Sequence, residues 1–289
     1  MNNLNKKKIQ YLFLKKMIKN ILITGGAGYI GSHVSEHFLK KGLKVFILDN
    51  LSSGYKLLIN KKSKFYNCSI NESNRVKEIL NKNKIDSIIH LAANLDVNES
   101  LKKPKKYYNN NVKGTSILIN SCKGTKVRNF IFSSTAAVYK DKIYKVKENT
   151  IKKPKNVYGK TKLKAEAIVK NLSKKYNLNY AILRYFNVVG ASKSKQIGQI
   201  NNYDLLFKNL SQTIIKSKPR IYIYGNNYKT PDGTCIRDFI HVLDISDIHL
   251  KVLKKINNSN KSLILNCGYG KGNSVLDVIK TFQRVSNKK

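Results

Sequence analysis

The segment ILITGGAGYIGSH, residues 21–33, constrains the fold more than any other part of this 289-residue chain. A short apolar run leads into a cluster of glycines, and a helical pattern follows directly. Gly25, Gly28 and Gly31 form G-x-x-G-x-x-G, and Gly26 completes G-x-G-x-x-G. Glycines let the backbone turn sharply and approach a pyrophosphate at the positive N-terminal end of the next helix. Because the loop joins a strand to a helix, it predicts a dinucleotide site.

A carboxylate at the end of the next strand indicates which dinucleotide binds. Asp49 closes the run KVFILD, 18 residues after Gly31. This is the position from which an acid accepts hydrogen bonds from the adenosine ribose. A free 2′-hydroxyl pairs with a carboxylate, whereas a 2′-phosphate is repelled. The sequence therefore predicts NAD rather than NADP.

Apolar runs and helical patterns alternate along most of the chain. Predicted strands cover residues 20–24, 44–48, 87–92, 129–134 and 180–186, and predicted helices lie near 30–41, 72–83, 105–123 and 158–176. Strands without polar alternation, separated by helices, are typical of a parallel sheet covered on both faces. The predicted fold class is α/β, a doubly wound Rossmann sheet.

The pattern loosens after residue 187, which suggests a division into domains. Residues 18–186 are predicted to form the NAD-binding Rossmann domain, and residues 187–289 a smaller substrate-binding region. A Gly/Asn/Asp-rich hairpin is predicted at 224–234, with late helices near 244–255 and 274–285. Residues 1–17 form a basic extension that we expect to be poorly ordered, and Met17 is a second candidate start.

The net charge of +40 at pH 7 raises the question of nucleic-acid binding. Only six of the 56 basic residues are arginine, and the lysines are scattered. Surfaces that read phosphates and bases usually enrich arginine. This composition therefore favours a solvated basic surface without specific nucleic-acid binding. No apolar run approaches the ~18 residues of a membrane span. The four cysteines are well separated, so neither paired zinc ligands nor a disulfide frame is predicted, and the expected location is cytoplasmic.

One motif imitates a metal site. HVSEH, residues 33–37, matches the H-x-x-E-H pattern of some zinc peptidases. It falls on the helix after the glycine loop, where Val34 and Phe38 must face the sheet. No third ligand is evident, so no metal is predicted.

Tyr158 and Lys162 form the candidate reactive group. They lie one helical turn apart in VYGKTK, so both side chains reach the same side of a helix. An isolated tyrosine has a pKa near 10, and a neighbouring ammonium is expected to lower it. Thr135 ends the strand NFIFSST, where its hydroxyl can hydrogen-bond a substrate oxygen. Together they predict a general base that removes a proton from an alcohol while a hydride leaves for NAD.

These motifs together resemble the extended short-chain dehydrogenase/reductase family, and within it the 4-epimerases of UDP-hexoses. The resemblance spans residues 18–286. It rests on TGGAGYIGSH, LDNLSSG, IIHLAA, KKPKKYYNNNVKGT, NFIFSSTAAVY, VYGKTKLKAE, RYFNVVGA, DGTCIRDFIHV and GNSVLDVI. It implies a tightly held NAD, a UDP-sugar substrate and a homodimer built on the helices at 105–123 and 158–176.

The resemblance also implies roles for individual residues. Thr135, Tyr158 and Lys162 are the catalytic group. The implied cofactor site comprises Gly25, Gly28, Tyr29, Ile30, Gly31, Asp49, Asn50, Ser53, Gly54, Ile70, Leu91, Ala92, Asn110, Lys162 and Phe186. The implied substrate site comprises Thr135, Tyr158, Asn187, Tyr224 and Arg237, with Arg237 on the diphosphate.

The implied reaction inverts C4 of the sugar through a transient 4-keto intermediate. Tyr158 takes the proton of the 4-hydroxyl, the keto sugar turns over in the site, and the hydride returns to its other face. Related dehydratases carry an acidic pair directly after the threonine. Ala136 and Ala137 stand here instead and cannot move protons, which argues against dehydration and against decarboxylation.

The chain also departs from the family pattern. Ser69 and Leu95 stand where an aspartate and a lysine are usual. The family normally continues for a few tens of residues beyond the GNSVLDVI helix, through a stretch with a second phosphate-binding arginine, so the substrate region is expected to be incomplete. Two alternatives therefore stay open, a 4-epimerase of another NDP-sugar and an NAD-binding protein without turnover.

Overall fold

The computed structural model describes residues 18–141, 145–200, 205–215 and 220–287. The predicted basic extension, residues 1–17, lies outside them. Within the described residues the strands form one large and one small sheet. In chain order they are β1 (Asn20–Thr24), β2 (Lys44–Asp49), β3 (Lys64–Asn67), β4 (Ser87–His90), β5 (Asn129–Thr135), β6 (Asn179–Tyr185), β7 (Asn187–Val189), β8 (Ile236–His241), β9 (Leu263–Cys267) and β10 (Gly272–Ser274).

The large sheet has seven parallel strands in the order β3-β2-β1-β4-β5-β6-β9. The order reverses between β1 and β4, which defines the switch point of a doubly wound sheet. β5 and β6 pair in register from Asn129 beside Asn179 to Thr135 beside Tyr185. The predicted Rossmann fold is confirmed.

Helices cover both faces of this sheet. They are α1 (Tyr29–Lys40), α2 (Ser73–Lys82), α3 (Val97–Lys102), α4 (Pro104–Tyr107), α5 (Thr115–Asn120), α6 (Val157–Lys175), α7 (Leu206–Ile214), α8 (Val242–Ser259) and α9 (Val275–Ser286). A π-helical segment, Tyr108–Gly114, joins α4 to α5, so the helix predicted near 105–123 is present with a locally wider turn. No helix in the described part of the chain has the length and apolarity needed to cross a bilayer.

The strand sequences read as continuous apolar runs because both faces of the sheet are buried. Successive side chains of a strand point to opposite faces. Leu22 therefore packs with α2, α5 and α6, whereas Ile21 and Ile23 pack with α1 and α8. All three side chains are fully buried. Full burial of one such side chain contributes roughly 1.5–3 kcal/mol relative to exposure.

The chain after residue 187 contributes to both sheets. β10, β8 and β7 form the small sheet, beside a separate apolar cluster of α7 and α9 around Leu210, Val278 and Ile279. β9, however, completes the large sheet, and α8 packs on α1. The division at residues 186/187 therefore stays a prediction, and it does not coincide with the boundary between the sheets.

The predicted hairpin at 224–234 is wrong, because this segment contains no strand. It forms irregular turns in which Tyr228 N donates to Gly233 O over 2.9 Å. Asp232 accepts hydrogen bonds from the backbone and side chain of Thr234. The Gly, Asn and Asp residues that suggested a hairpin serve these turns instead.

Candidate active site

A cleft of about 760 Å³ opens at the carboxyl ends of the parallel strands. Residues that end or directly follow five neighbouring strands line it, namely Gly25, Asp49, Leu91, Thr135 and Phe186. Ligands of doubly wound sheets bind at this edge, beside the switch point. The volume lies within the range of about 300–1,000 Å³ that is usual for ligand sites.

The glycine loop lines the cleft at the switch point of the sheet. Gly25 has a φ of +73°, and a Cβ on it would lie 2.6 Å from Ala92 N. A Cβ on Gly31 would lie 2.2 Å from Gly25 O, so a side chain at either position would push the backbone apart. α1 begins after Gly28, which has no side chain to cap its first turn. Unpaired N–H groups of a first turn need an acceptor, and a phosphate supplies one.

Asp49 connects the end of β2 to this loop. Its carboxylate is 8% exposed and accepts hydrogen bonds from Ala27 N at 3.0 Å and Leu51 N at 2.8 Å. Burial raises the pKa of the Asp49 carboxyl, and the two backbone donors lower it. Each oxygen keeps acceptor capacity for a further donor such as a ribose hydroxyl.

Tyr158 lies in the first turn of α6, where this helix contacts the turn after β5. Asn156 caps the helix by accepting from Gly159 N at 2.7 Å. A Cβ on Gly159 would lie 2.4 Å from Ala137 O, so glycine is needed where the helix meets the turn after β5. This approach places the Tyr158 hydroxyl in a hydrogen bond with the Thr135 hydroxyl. Thr135 Oγ1 also accepts from Ala137 N at 3.1 Å.

The electrostatics of Tyr158 correct one prediction. Burial raises the pKa of Tyr158 to about 12, opposite to the expected direction, and the hydrogen bond with Thr135 lowers it. The ammonium of Lys162 lies 4.4 Å from the centroid of the Phe132 ring, and the residue is 2% exposed. Burial lowers the pKa of Lys162 to about 7. The protein alone therefore does not keep the phenol ionised at neutral pH.

Most residues of the predicted sites line this one cleft. They are Gly25, Gly28, Tyr29, Ile30, Gly31, Asp49, Asn50, Ser53, Gly54, Leu91, Ala92, Asn110, Thr135, Tyr158, Phe186, Asn187, Tyr224 and Arg237. Ile70 and Lys162 are not among the lining residues. Ile70 is 3% exposed within the apolar core, and Lys162 lies buried one turn beyond Tyr158.

Sequence reasoning missed part of the far end of the cleft. Phe207, Tyr228, Cys235, Phe239 and Val275 line it there, together with Val188 and Leu206. They come from α7, β7, β8, α9 and the turns before β8, which meet only in the folded chain. No local pattern marks Leu206, Phe207 or Tyr228. Val188, Cys235, Phe239 and Val275 lie inside the motifs RYFNVVGA, DGTCIRDFIHV and GNSVLDVI, which could have drawn attention to them.

The HVSEH motif serves packing. His33 Nδ1 lies 2.7 Å from Tyr29 O, and the two rings meet edge to face. His37 lies 3.6 Å from Asp247 of α8. Burial lowers the pKa of both histidines. No group of three potential metal ligands occurs in the described ranges of the chain.

The fold is that of an α/β, doubly wound dinucleotide-binding protein, with the glycine loop and Tyr158 lining one cleft. Residues 21–268 match the model of the NAD dependent epimerase/dehydratase family, and the chain belongs to this family. Its cofactor is NAD. The glycine cradle that a Cβ would fill and the buried Asp49 carboxylate fit this cofactor.

Named relatives place the chain among epimerases. It is 40% identical to a UDP-glucose 4-epimerase of Haemophilus influenzae, covering 92% of this chain and 82% of the relative. A solved structure of the UDP-Glc/GlcNAc 4-epimerase of Campylobacter jejuni has a TM-score of 0.80 and 42% identity, covering 93% of this chain and 84% of that one. A UDP-glucose 4-epimerase of Bifidobacterium longum, solved with NAD⁺ and UDP, has a TM-score of 0.86 and 32% identity, covering 93% and 84%. The chain is accordingly an NAD-dependent enzyme of the epimerase class.

Proposed function

We propose that this protein interconverts UDP-glucose and UDP-galactose by inverting C4 of the hexose through a transient 4-keto sugar. One observation carries the proposal. One cleft is lined by the glycine loop, by the Tyr158–Thr135 pair and by Arg237 and Tyr224. The relatives named UDP-glucose 4-epimerase support it.

The chain's own residues move and hold the proton. Tyr158 accepts the proton of the sugar 4-hydroxyl and later returns it, and Thr135 hydrogen-bonds the same oxygen. A pKa of about 12 leaves Tyr158 protonated at pH 7, so its ionised form needs further stabilisation before the phenol can act as a base. NAD, when bound, supplies the hydride acceptor and donor and a positive ring charge that favours the phenolate. Lys162 adds a second positive charge when it is protonated.

The cofactor residues divide by their position in the cleft. Gly25, Gly28, Tyr29, Ile30 and Gly31 would hold the pyrophosphate at the start of α1. The adenosine would lie against Asp49, Asn50, Ser53 and Gly54, and Ile70 is assigned to the NAD site by the family resemblance alone. The remaining residues of the proposed NAD site are Leu91, Ala92, Asn110, Lys162 and Phe186.

Arg237, Tyr224 and Asn187 are the proposed contacts of the UDP moiety. Arg237 lies on β8 with an exposed side chain, and its guanidinium suits a diphosphate. Asn187 is held by a hydrogen bond from its Nδ2 to Asp238 O at 2.9 Å. Tyr224 is 80% exposed, so a bound nucleotide would cover it.

A second candidate is a 4-epimerase that also accepts another UDP-sugar. The observation behind it is the UDP-Glc/GlcNAc 4-epimerase of Campylobacter jejuni, to which this chain is 42% identical. An assay with UDP-N-acetylgalactosamine beside UDP-galactose separates the two candidates.

One experiment tests the proposed function directly. The purified protein is denatured to identify any released dinucleotide, and the native protein is incubated with UDP-galactose without added NAD. We expect NAD to be released and UDP-glucose to accumulate. Bound NAD without conversion of any UDP-sugar would instead identify an NAD-binding protein without turnover.

We further propose a cytoplasmic homodimer in which α4, α5 and α6 pack against their copies. Size-exclusion chromatography with light scattering measures the mass of the protein in solution, and the mass of a monomer would contradict the proposed dimer. Any retention on nucleic acid is expected to vanish at modest salt, because it reflects nonspecific attraction to the basic surface.

Asp49→Asn is expected to weaken NAD binding and to reduce the preference for NAD over NADP. The asparagine amide has one acceptor oxygen and replaces the other with an NH₂ donor, so one backbone hydrogen bond of the loop and the negative charge toward the ribose are lost. Hydrogen bonds to charged groups contribute about 1.5–3 kcal/mol, which corresponds to roughly 10- to 150-fold in affinity. Titration with both dinucleotides measures the effect. Asp247→Asn, on α8 away from the cleft, is the matched control. An unchanged ratio of the affinities for NADP and NAD in Asp49→Asn would contradict the assignment of Asp49 to the ribose.

Arg237→Ala is expected to raise the KM for the UDP-sugar by roughly 10- to 150-fold, because charge-assisted hydrogen bonds to the diphosphate are lost. The affinity for NAD should stay unchanged. Arg220→Ala removes an exposed arginine that does not line the cleft. If both variants raised KM equally, the general basic surface rather than Arg237 would hold the substrate.

A further inference from the structure

A buried ion pair lies behind the reactive group. Arg184 of β6 and Glu166 of α6 have side-chain exposures of 0% and 1%. Arg184 Nη2 donates to Glu166 Oε2 at 2.7 Å, and its Nε donates to Oε1 at 2.9 Å. This is a bidentate, charge-assisted geometry.

The carboxylate of Glu166 reaches both elements that carry the site. Ser134 Oγ donates to Glu166 Oε1 at 2.6 Å, and Ser134 directly precedes Thr135 on β5. Glu166 also follows Lys162 by one turn of α6, on the same buried side of the helix. One side chain therefore connects the strand of Thr135 to the helix of Tyr158 and Lys162.

Arg184 is anchored independently of Glu166. Its Nη1 donates to the Tyr139 hydroxyl and to Glu148 O, each at 2.9 Å. The Tyr139 hydroxyl in turn donates to Asn266 Oδ1 at 2.6 Å. The guanidinium therefore keeps hydrogen bonds that do not involve Glu166, and Glu166 is the member of the pair that is bonded to Ser134 beside Thr135.

A buried ion pair is a poor source of stability, because the cost of removing two charges from water offsets most of their attraction. A stabilising core would be served as well by apolar side chains of similar volume. The pair is therefore better explained by the effect of the Glu166 carboxylate on a neighbouring group, and that group is Lys162.

Few charges act on Lys162. The groups that interact electrostatically with Lys162 are Glu166 on its own helix and His90 on β4, and Tyr158 lies one turn before it on α6. Arg184 on β6 is paired with Glu166, and on the helices packed against α6 the Tyr107 hydroxyl donates to Glu99. Burial lowers the pKa of His90 to about 3, so this imidazole is neutral. Burial also lowers the pKa of Lys162, and the charge of Glu166 raises it.

We propose that Glu166 is a positioning residue whose carboxylate, held by Ser134 and Arg184, keeps the Lys162 ammonium charged behind Tyr158. The consequence for catalysis rests on the function proposed above, whereas the effect on Lys162 does not.

The two members of the ion pair have opposite effects on Lys162. Glu166→Gln removes the negative charge, so Lys162 should lose its proton at a pH lower by about 1 to 3. Arg184→Gln leaves the carboxylate unshared, so Lys162 should keep its proton to a higher pH. A purely structural ion pair predicts the same direction for both variants, since each breaks the same contact.

The test is a pH titration of protein carrying ¹³C-labelled lysine, followed by NMR. The signal that disappears in Lys162→Arg identifies Lys162. We expect its midpoint to fall in Glu166→Gln and to rise in Arg184→Gln. Glu36→Gln, which removes the partner of Lys40 on α1, is the matched control and should leave the midpoint unchanged.

Glu166→Gln/Arg184→Gln keeps the test decisive if a single variant does not fold. It leaves neither Glu166 nor Arg184 as a buried charge without its partner, and it should still lower the midpoint because the carboxylate that raises the pKa of Lys162 is gone. A midpoint that stays unchanged or rises in Glu166→Gln or in the double variant would overturn the inference. If wild-type protein held NAD but converted no UDP-sugar, the proposed function would fail while the titration result would stand.

Discussion

Tyr158→Phe is expected to lower the turnover of UDP-galactose about 10²- to 10⁴-fold, the usual contribution of a positioned general base. The phenyl ring keeps the packing of α6 against β5 but cannot accept or return the proton of the sugar hydroxyl. Bound NAD should stay in place, because the glycine loop and Asp49, the proposed contacts of the pyrophosphate and the adenosine, are unchanged. Single-turnover kinetics and the absorbance of bound NAD measure the two properties separately.

Tyr176→Phe is the matched control for this variant. Tyr176 lies just after the same helix, and its exposed hydroxyl donates to Asn120 Oδ1 at 2.7 Å. Its loss should leave turnover unchanged. If Tyr158→Phe retained wild-type turnover, another group would have to carry the proton, and the proposed mechanism would be wrong.

Gly31→Ala is expected to yield protein that has lost most of its NAD. The added methyl group would lie 2.2 Å from Gly25 O, and its nearest neighbours are backbone atoms, so the loop must open. Overpacking of this kind costs about 1–3 kcal/mol, which corresponds to roughly 5- to 150-fold in affinity if the strain falls on the bound loop. Quantifying dinucleotide released from denatured protein, together with a binding titration, measures the loss.

Gly198→Ala provides the comparison, because a Cβ on Gly198 meets Ala191 at an ordinary 3.9 Å. That variant should hold NAD as the wild type does. Full NAD occupancy in Gly31→Ala would show that the loop is not the pyrophosphate cradle. Melting temperatures of both variants distinguish loss of the cofactor from loss of the fold.

Much of the large sheet was predictable because its signals are local. The runs at 20–24, 44–48 and 129–134 form β1, β2 and β5 to within a residue. These strands are buried on both faces, so their apolar character is continuous and needs no knowledge of partners. The glycine loop was predictable for a similar reason, since only glycine tolerates backbone contacts as close as those at Gly31.

Other elements were not predictable, since their sequences depend on distant partners. β3 carries the mixed sequence KFYN and forms only beside β2. β7 and β10 have three residues each and exist through pairing with β8. The segment at 224–234 has the composition of a hairpin, but no flanking strands pair across it. In each case long-range pairing overrides local propensity.

For the Tyr158–Lys162 pair, local sequence predicted the positions of the side chains but not their pKa values. The helical spacing placed both side chains on α6, as expected. The direction of the Tyr158 pKa was mispredicted, because burial raises this pKa by more than the hydrogen bond with Thr135 lowers it. Burial is a property of the whole fold and is not visible in a four-residue spacing.

By itself, the sequence determined what neighbouring residues decide together: the strand–loop–helix at the start, the NAD-favouring acid at the end of β2, and a tyrosine and a lysine one turn apart. Only the tertiary structure decided which groups are buried and which distant side chains meet. Arg184, Glu166 and Ser134 come from three separate elements, and Tyr139 finds Asn266 across 127 positions of the chain. The physical reason is that hydrogen bonds and charges gain their strength from exclusion of water, which requires the folded layers on both sides.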